Sequence, residues 1–363
     1  MNSASSRASF SPPEERTGLS PYLVVAVACA GVFLAALDQT VVVTALSSIM
    51  SDLELPVTQL DQASWIVTGY LLGYTVAMPL MGRVSDTYGH TRIYVLSMFI
   101  FVIGSMLVAL SPGLGWLVGA RIFQAVGGGA MVPATMAIVA DVFGPRQRGM
   151  ALGAIGAVAE AGGVLGPLYG GLLLQRLDWQ WIFWVNLPAG LAIALSVLFL
   201  APGPVRHVAS PIDYMGGLLI AGSLALLALG LTRQGGQAWS PVVMTSLLGG
   251  AALLFGAFLL RETRVSSPLI NLSMFRSLTL SSANAAHFLV GWGLIVAMVV
   301  VPLMADTILG ESSLEGGLRL MRLTAAIPVG ALLGGLLVHR LGYRFPTVMG
   351  LGLSAASFFL LSR

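Results

Sequence analysis

An all-α polytopic membrane protein is the fold class predicted here, on three observations. Hydrophobic residues make up 56% of the 363 positions and charged residues only 9%, against about a quarter charged in a soluble domain. Apolar runs of roughly 20 residues follow one another, the length a helix needs to cross the hydrocarbon core. Glycine is abundant, at 44 residues, and recurs inside those runs without a collagen-like period, which suits helices packed closely on small residues. Barrel strands would be shorter and would alternate in polarity, so the spans read as helices.

Residues 1–20 are polar and rich in Ser, Pro and Glu, and read as a disordered cytoplasmic tail with no cleavage signal behind it. The first span, Tyr22 to Ile49, holds Cys29 and Asp38. Nothing nearby in sequence neutralises Asp38, and an ionised group in hydrocarbon is costly enough to mark a proton, ion or substrate path. The second and third spans, Ser64 to Met81 and Ile93 to Leu110, flank the connection Gly82-Arg83-Val84-Ser85-Asp86-Thr87-Tyr88-Gly89-His90-Thr91-Arg92. Glycines are expected to bracket a tight turn there. Asp86 stands where a carboxylate can accept from free amides of a helix end or pair with an arginine; an ordinary loop is the plainer reading. The fourth span, Leu117 to Val142, opens on Arg121-Ile122-Phe123-Gln124-Ala125-Val126-Gly127-Gly128-Gly129. Arg121 can snorkel to the surface or lie buried beside the glycines with a partner. The fifth, Met150 to Leu174, carries Glu160 about 15 Å from its start. Gly162, Gly166 and Gly170 recur every four residues along one face of it, a packing stripe, and Pro167 bends it. Glu160 is either a buried structural acid or a titrating, substrate-gating one, and the second reading is preferred.

The sixth span is Ile182 to Leu200. A short connector with Pro202, Pro204 and Pro211 follows, then two spans, Met215 to Leu231 and Val242 to Leu260, and a basic loop to Leu280. The last three are Ser282 to Ala305, Gly317 to Val338 and Val348 to Leu361. The stretch Gly334 to Arg344 echoes Gly82 to Arg92 after a second span, as a duplicated bundle would. The domains expected are a tail (1–20), a six-helix bundle (21–201), a linker region with two extra helices (202–280) and a partial second bundle (281–363). Eleven spans with almost no tail suggest a chain cut short. With the N-terminus cytoplasmic, Arg83, Arg92, Arg146, Arg148, Arg206, Arg261, Arg264, Arg276, Arg340 and Arg344 fall inside, as the positive-inside rule requires; Arg176 and Arg233 are exceptions.

Composition excludes a soluble enzyme, and no metal cluster, nucleotide loop or nucleophile set is visible. No cofactor is implied. The net charge is +3, with all eighteen basic residues arginine and no basic face for nucleic acid. His90, His207, His287 and His339 are too dispersed for a metal site, and the lone Cys29 reads as packing.

Taken together, these motifs resemble the major facilitator superfamily, and within it the fourteen-helix drug:proton antiporter branch. Leu37 to Leu46 is similar to the branch's first-helix signature, Gly82 to Arg92 to its loop between helices two and three, and Arg121 to Gly129 to its fourth-helix pattern. Gly162 to Gly171 resembles the antiporter motif of helix five, and Trp179 to Pro188 the entry to helix six. Within the branch the chain is most similar to mycobacterial and actinobacterial exporters that move triacylglycerides with a partner lipoprotein. That likeness rests on Asp38 to Met50, Trp65 to Thr68 with Tyr70 to Tyr74, and Glu160 with Val164 to Gly170. Thr87 stands where the loop motif has arginine, and His90 and Thr91 replace further basic residues. His339 takes the aspartate's place in the second copy, which weakens the expected cytoplasmic latch.

The resemblance implies a major facilitator fold, eleven of fourteen helices, with two bundles alternating access around a central cavity in a bacterial plasma membrane. Asp38 and Glu160 are the implied proton-coupling acids, with a basic counterpart in a later helix. Arg121 serves coupling or structural pairing. Gly82, Asp86, Gly89 and Arg92 serve gating, and Gly127, Gly162, Gly166, Pro167 and Gly170 serve packing. The implied partners are protons, membrane lipids, a hydrophobic or lipid substrate and a periplasmic lipoprotein. Proton-coupled export of hydrophobic compounds such as triacylglycerides is the expected function. Multidrug efflux is the alternative, and a non-transporting scaffold or inactive fragment is the reading from another class.

Overall fold

Long apolar runs separated by short polar links leave the backbone only one way to satisfy its hydrogen bonds in lipid, and the chain takes it. The computed structural model describes residues 21–200, 212–232, 239–307 and 324–361. The tail, most of the proline-containing connector, and the start of the tenth expected span lie outside them. Among the described residues there are eleven long helices. They are α1 (Pro21–Asp52), α2 (Trp65–Tyr88), α3 (His90–Ala109), α4 (Leu114–Val142), α5 (Pro145–Leu174) and α6 (Asn186–Leu200), then α7 (Tyr214–Leu231), α8 (Pro241–Glu262), α9 (Leu278–Thr307), α10 (Ala326–Leu341) and α11 (Arg344–Leu361). Short helices Leu60–Ala63 and Gln180–Trp184 lead into α2 and α6. Counting each of these lead-ins with its helix, the first eight are long and apolar enough to cross a membrane.

The first six helices pack with α4 against α2 and α3, α1 against α5, and α3 against α6. Their core is layered. One apolar cluster gathers Val24, Val32, Met98, Phe101, Met131, Ile138 and Ile155. A second gathers Val41, Ile49, Ile66, Leu117, Ile182 and Phe183. The α1 and α4 segments between these clusters carry Asp38, Arg121 and Gln124, so one polar layer lies between two apolar ones.

Glycines decide how near the helices come. A Cβ added at Gly162 would stand 2.6 Å from the Phe33 carbonyl oxygen and 3.1 Å from the Leu37 nitrogen of α1. One at Gly166 would meet the Leu37 oxygen at 2.9 Å, and one at Gly170 would meet Thr44 Oγ1 at 2.7 Å. A Cβ at Gly127 would lie 2.6 Å from the Phe101 nitrogen of α3. The α5 helix runs unbroken through Pro167.

The α7–α8 hairpin rests on α2, with Gly217 beside Leu80. Ser223 Oγ donates to the Ala251 carbonyl at 2.9 Å across the hairpin. Arg261 Nε donates to Asp213 Oδ1 at 2.8 Å, Asp213 caps the start of α7 through Gly216 N, and Glu262 Oε2 accepts from Ile270 N at 2.8 Å. From the second group of helices, α10 reaches α5, where Gly153 faces Gly335 and Ala331.

Two expectations need correction. The second helix does not stop at Met81 but continues to Tyr88, because nothing from Gly82 to Tyr88 breaks it. Gly82 is therefore helical, packed near Pro133, and Asp86 lies in the last turn; Gly89 alone is the link. At φ 101° and ψ 132° it occupies backbone space that side chains avoid. The echo in the last helices keeps this arrangement. Gly334, Gly335, His339 and Arg340 are helical, and Gly342, at φ 72°, makes the turn. Second, the sixth span starts at Gln180 and not at Ile182: the short helix Gln180–Trp184 leads into α6 through Val185, which keeps helical backbone angles and bonds to the Trp181 carbonyl at 3.2 Å; Pro188, in the first turn of α6, has no amide to donate. Replacing Gly89 by Ala should cost about 1–3 kcal/mol of stability through backbone strain, read as a lower midpoint of thermal unfolding in detergent. A neutral substitution would show that the α2–α3 link relaxes.

Candidate functional site

The polar layer is built from five helices. Asp38 projects from α1, Arg121 and Gln124 from α4, Ser105 from α3, Asn186 from the first residue of α6, and Tyr70 from α2. All six are buried, and Asp38 and Arg121 are 0% exposed. Arg121 and Gln124 are three residues apart and so share one helix face. Residue 38 reaches them only through the packing of α1 against α4.

The geometry is closed. Arg121 Nη1 donates to Asp38 Oδ2 at 2.5 Å and to Gln124 Oε1 at 2.7 Å. An arginine can only donate, so its bond fixes the amide of Gln124: Oε1 faces Arg121, and Nε2 faces Asp38 Oδ1 at 3.2 Å and Ser105 Oγ at 2.6 Å. Asn186 Nδ2 donates to the same Asp38 Oδ1 at 2.8 Å and to Ser105 Oγ at 3.1 Å. The Tyr70 ring lies under the guanidinium, 4.0 Å from its central carbon, and Phe183 lies 5.6 Å away. Arg121 Nε finds no hydrogen-bond partner among the described residues, so the aromatic faces supply its remaining stabilisation. The snorkelling reading of Arg121 is thereby excluded, and the charge that sequence left isolated at Asp38 is neutralised from 83 residues away.

Glu160 is placed differently. It is exposed, with no hydrogen bond or ion pair recorded among the described residues. It follows Gly153 by seven residues, two helical turns, and so shares the α5 face that meets α10 at Gly335. Gly162, two residues on, packs on Phe33 and Leu37, which sets Glu160 roughly one helical turn from the level of Asp38. The structure thus brings Asp38 and Arg121 together and leaves Glu160 apart, facing the second group of helices.

At the α2–α3 link, Asp86 and Arg92 are exposed, and Gly89 is buried between them. His90 Nδ1 lies 2.9 Å from Ser85 Oγ, and its Nε2 lies 3.8 Å from Asp141 Oδ2 at the end of α4, an ion pair only when the histidine is protonated. Sequence reasoning passed over Asp141, Asn186, Gln124 and Ser105. The signal for Gln124 and Asn186 was an amide in an apolar run; the others needed the fold.

Residues 28–362 match the Major Facilitator Superfamily. The chain belongs to this superfamily, one of transporters and not of enzymes. It is 38% identical over 334 residues to the triacylglyceride transporter of Mycobacteroides abscessus, covering 91% of this chain and 65% of that protein. It is 37% identical over 336 residues to the triacylglyceride transporter of Mycolicibacterium smegmatis, covering 91% and 60%. The chain thus spans a little under two thirds of the length of the curated relatives it matches. Among solved structures, the proton:xylose symporter XylE bound to 6-bromo-6-deoxy-D-glucose superposes with a TM-score of 0.60 at 15% identity, over 88% of this chain and 70% of that one. That likeness supports an all-α major facilitator fold. With eight apolar spans among the described residues, this superfamily member is a multi-pass membrane protein, consistent with the bacterial inner membrane.

Proposed function

We propose that this chain belongs to a proton-coupled exporter of hydrophobic compounds, with triacylglyceride-like lipids as the substrate class. One observation carries the reading: a sealed, charge-neutral Asp38–Arg121 pair lies in the same bundle as an exposed, unpaired acid, Glu160, on the face turned to the second bundle. Two acids in such different surroundings can divide the work. Glu160 exchanges a proton with the aqueous cavity. Asp38 changes its hold on Arg121 as the bundles rock, and the substrate leaves in exchange for the inward proton. The N-terminus is cytoplasmic, with the α2–α3 link, His90, Asp141 and Arg92 at the cytoplasmic gate. The lipid class is supported by the likeness to the mycobacterial triacylglyceride transporters, and a periplasmic lipoprotein is the partner that would receive a lipid.

Proteoliposomes with an imposed proton gradient test this with a fluorescent triacylglyceride and a cationic dye as separate probes. The triacylglyceride should move only with the gradient. Glu160→Gln should reduce gradient-driven flux about tenfold or more, on the scale of a lost general acid–base group, with no loss of thermal stability because the side chain makes no recorded bond. Dye movement alone would replace the lipid reading with drug efflux, and full coupled flux in Glu160→Gln would remove that residue from the proton path.

A further inference from the structure

We propose that Asn186 is the positioning residue of the Asp38–Arg121 pair and transmits the charge state of Asp38 to α6. This rests on the proton-coupled reading above.

Asn186 is the first residue of α6, where the short helix Gln180–Trp184 joins it through Val185. It is 1% exposed, with its Nδ2 shared between Asp38 Oδ1 and Ser105 Oγ. A carboxylate has only acceptors, so three donors can converge on Asp38: Arg121 on Oδ2, and Gln124 and Asn186 on Oδ1. A proton on Oδ1 would point at the hydrogens of both amides; a proton on Oδ2 would point at the guanidinium. The oxygen away from the cation is the favoured site, and a proton on Oδ1 leaves that oxygen one lone pair for two amide donors. Gln124 retains Arg121 and Ser105 as partners on its own side. Asn186 retains only the longer bond to Ser105, at 3.1 Å, so its contact to Asp38 is the one that protonation releases.

The entry to α6 is built to follow that release. Phe183, in the short helix just before α6, lies over Arg121, and Trp179 stacks edge-on against Phe183 with ring centroids 6.0 Å apart. Trp179 Nε1 in turn donates to Asp52 Oδ2 at 2.9 Å at the end of α1. The segment therefore touches both members of the charge pair, Asp38 through Asn186 and Arg121 through Phe183, while Asp52 holds its far end. Among the described residues, the ionisable groups facing Asp38 from the surrounding helices are Arg121 on α4, Tyr70 on α2 and Tyr169 on α5. Arg121 is the one cation among them, so the amide of Asn186 sits beside an ion pair and not within a larger charge cluster.

The test is a double-mutant cycle on the purified protein, read by thermal unfolding, with gradient-driven and downhill triacylglyceride flux measured in the same preparations. Asn186→Leu keeps the shape and removes the donor. If Asn186 acts through Asp38, it lowers the unfolding midpoint in the wild-type background and has at most half that effect in Asp38→Asn. The ratio of gradient-driven to downhill flux also falls, by about tenfold for a lost bond to a charged group. Ser105→Ala, a smaller change, moves both readouts in the same direction. Gly190→Ala presses α6 on Val102 and Met98 of α3 without removing a donor, and should lower the midpoint equally in both backgrounds. Additive midpoint shifts for Asn186→Leu, or equal losses in both fluxes, would overturn the proposal. A wild-type protein without gradient-driven flux would defeat the proton-coupled reading instead, and the unfolding cycle would still decide whether Asn186 acts through Asp38.

Discussion

Asp38→Asn is expected to lower stability by about 3–5 kcal/mol, because it leaves the Arg121 cation buried with no counter-charge. The neutral amide still fills the site and can still accept from Arg121, so the loss comes from charge and not from volume. Arg121→Gln should be costly for the converse reason, since Asp38 would keep its two amide donors but lose the cation it is paired with. The informative result is the double variant. Asp38→Asn with Arg121→Gln makes the layer neutral throughout, so its midpoint in detergent should lie above that of either single variant. A double variant whose losses simply add would show that the two residues do not interact. Gradient-driven flux should be lost in all three, because each breaks the Asp38–Arg121 charge pair whether or not the bundle is stable. Recovery of stability without recovery of transport separates the structural role of the pair from its functional one.

The second large effect is expected at the α1–α5 contact. Gly166→Val should prevent close packing of the two helices. A Cβ at that position already runs into Thr40 Oγ1 and stands 2.9 Å from a backbone oxygen of α1, and backbone cannot swing aside as a long side chain can. Overpacking of this kind costs about 1–3 kcal/mol, sometimes more, and here one insertion separates two helices along the whole stripe from Gly162 to Gly170. The expected outcome is a broadened size-exclusion profile and a lower unfolding midpoint. Gly163→Ala is the contrast: its Cβ would meet only Thr40 Cγ2, at 3.9 Å, an ordinary contact. Equal behaviour of the two variants would mean that composition and not the facing surface sets the requirement for glycine.

The eleven helices were legible because lipid imposes one rule on every span: the segment must be apolar over about 20 residues and satisfy its own backbone. That rule acts locally, so it is written locally. It does not say where a helix stops once the polar residues begin, which is why α2 runs seven residues past Met81 and why Gly82 belongs to a helix. Gly89 and Gly342 were visible only as glycines among others; their positive φ values distinguish them as the turns. The glycine stripe of α5 was legible as a face, but the identity of that face, α1 and not α4 or α10, was not.

By itself the sequence determined the membrane class, the spans and the presence of costly polar groups at Asp38, Arg121 and Glu160, because hydrophobicity and its interruption are properties of single segments. Only the tertiary structure decided what each group touches. It set Arg121 and Asp38, 83 positions apart, into one bond, gathered Gln124, Ser105 and Asn186 around them, and left Glu160 exposed on another face. The physical reason is that the cost of a buried charge depends on the atoms within a few ångströms of it. Five different helices supply those atoms, and their meeting is fixed by packing that no one segment encodes.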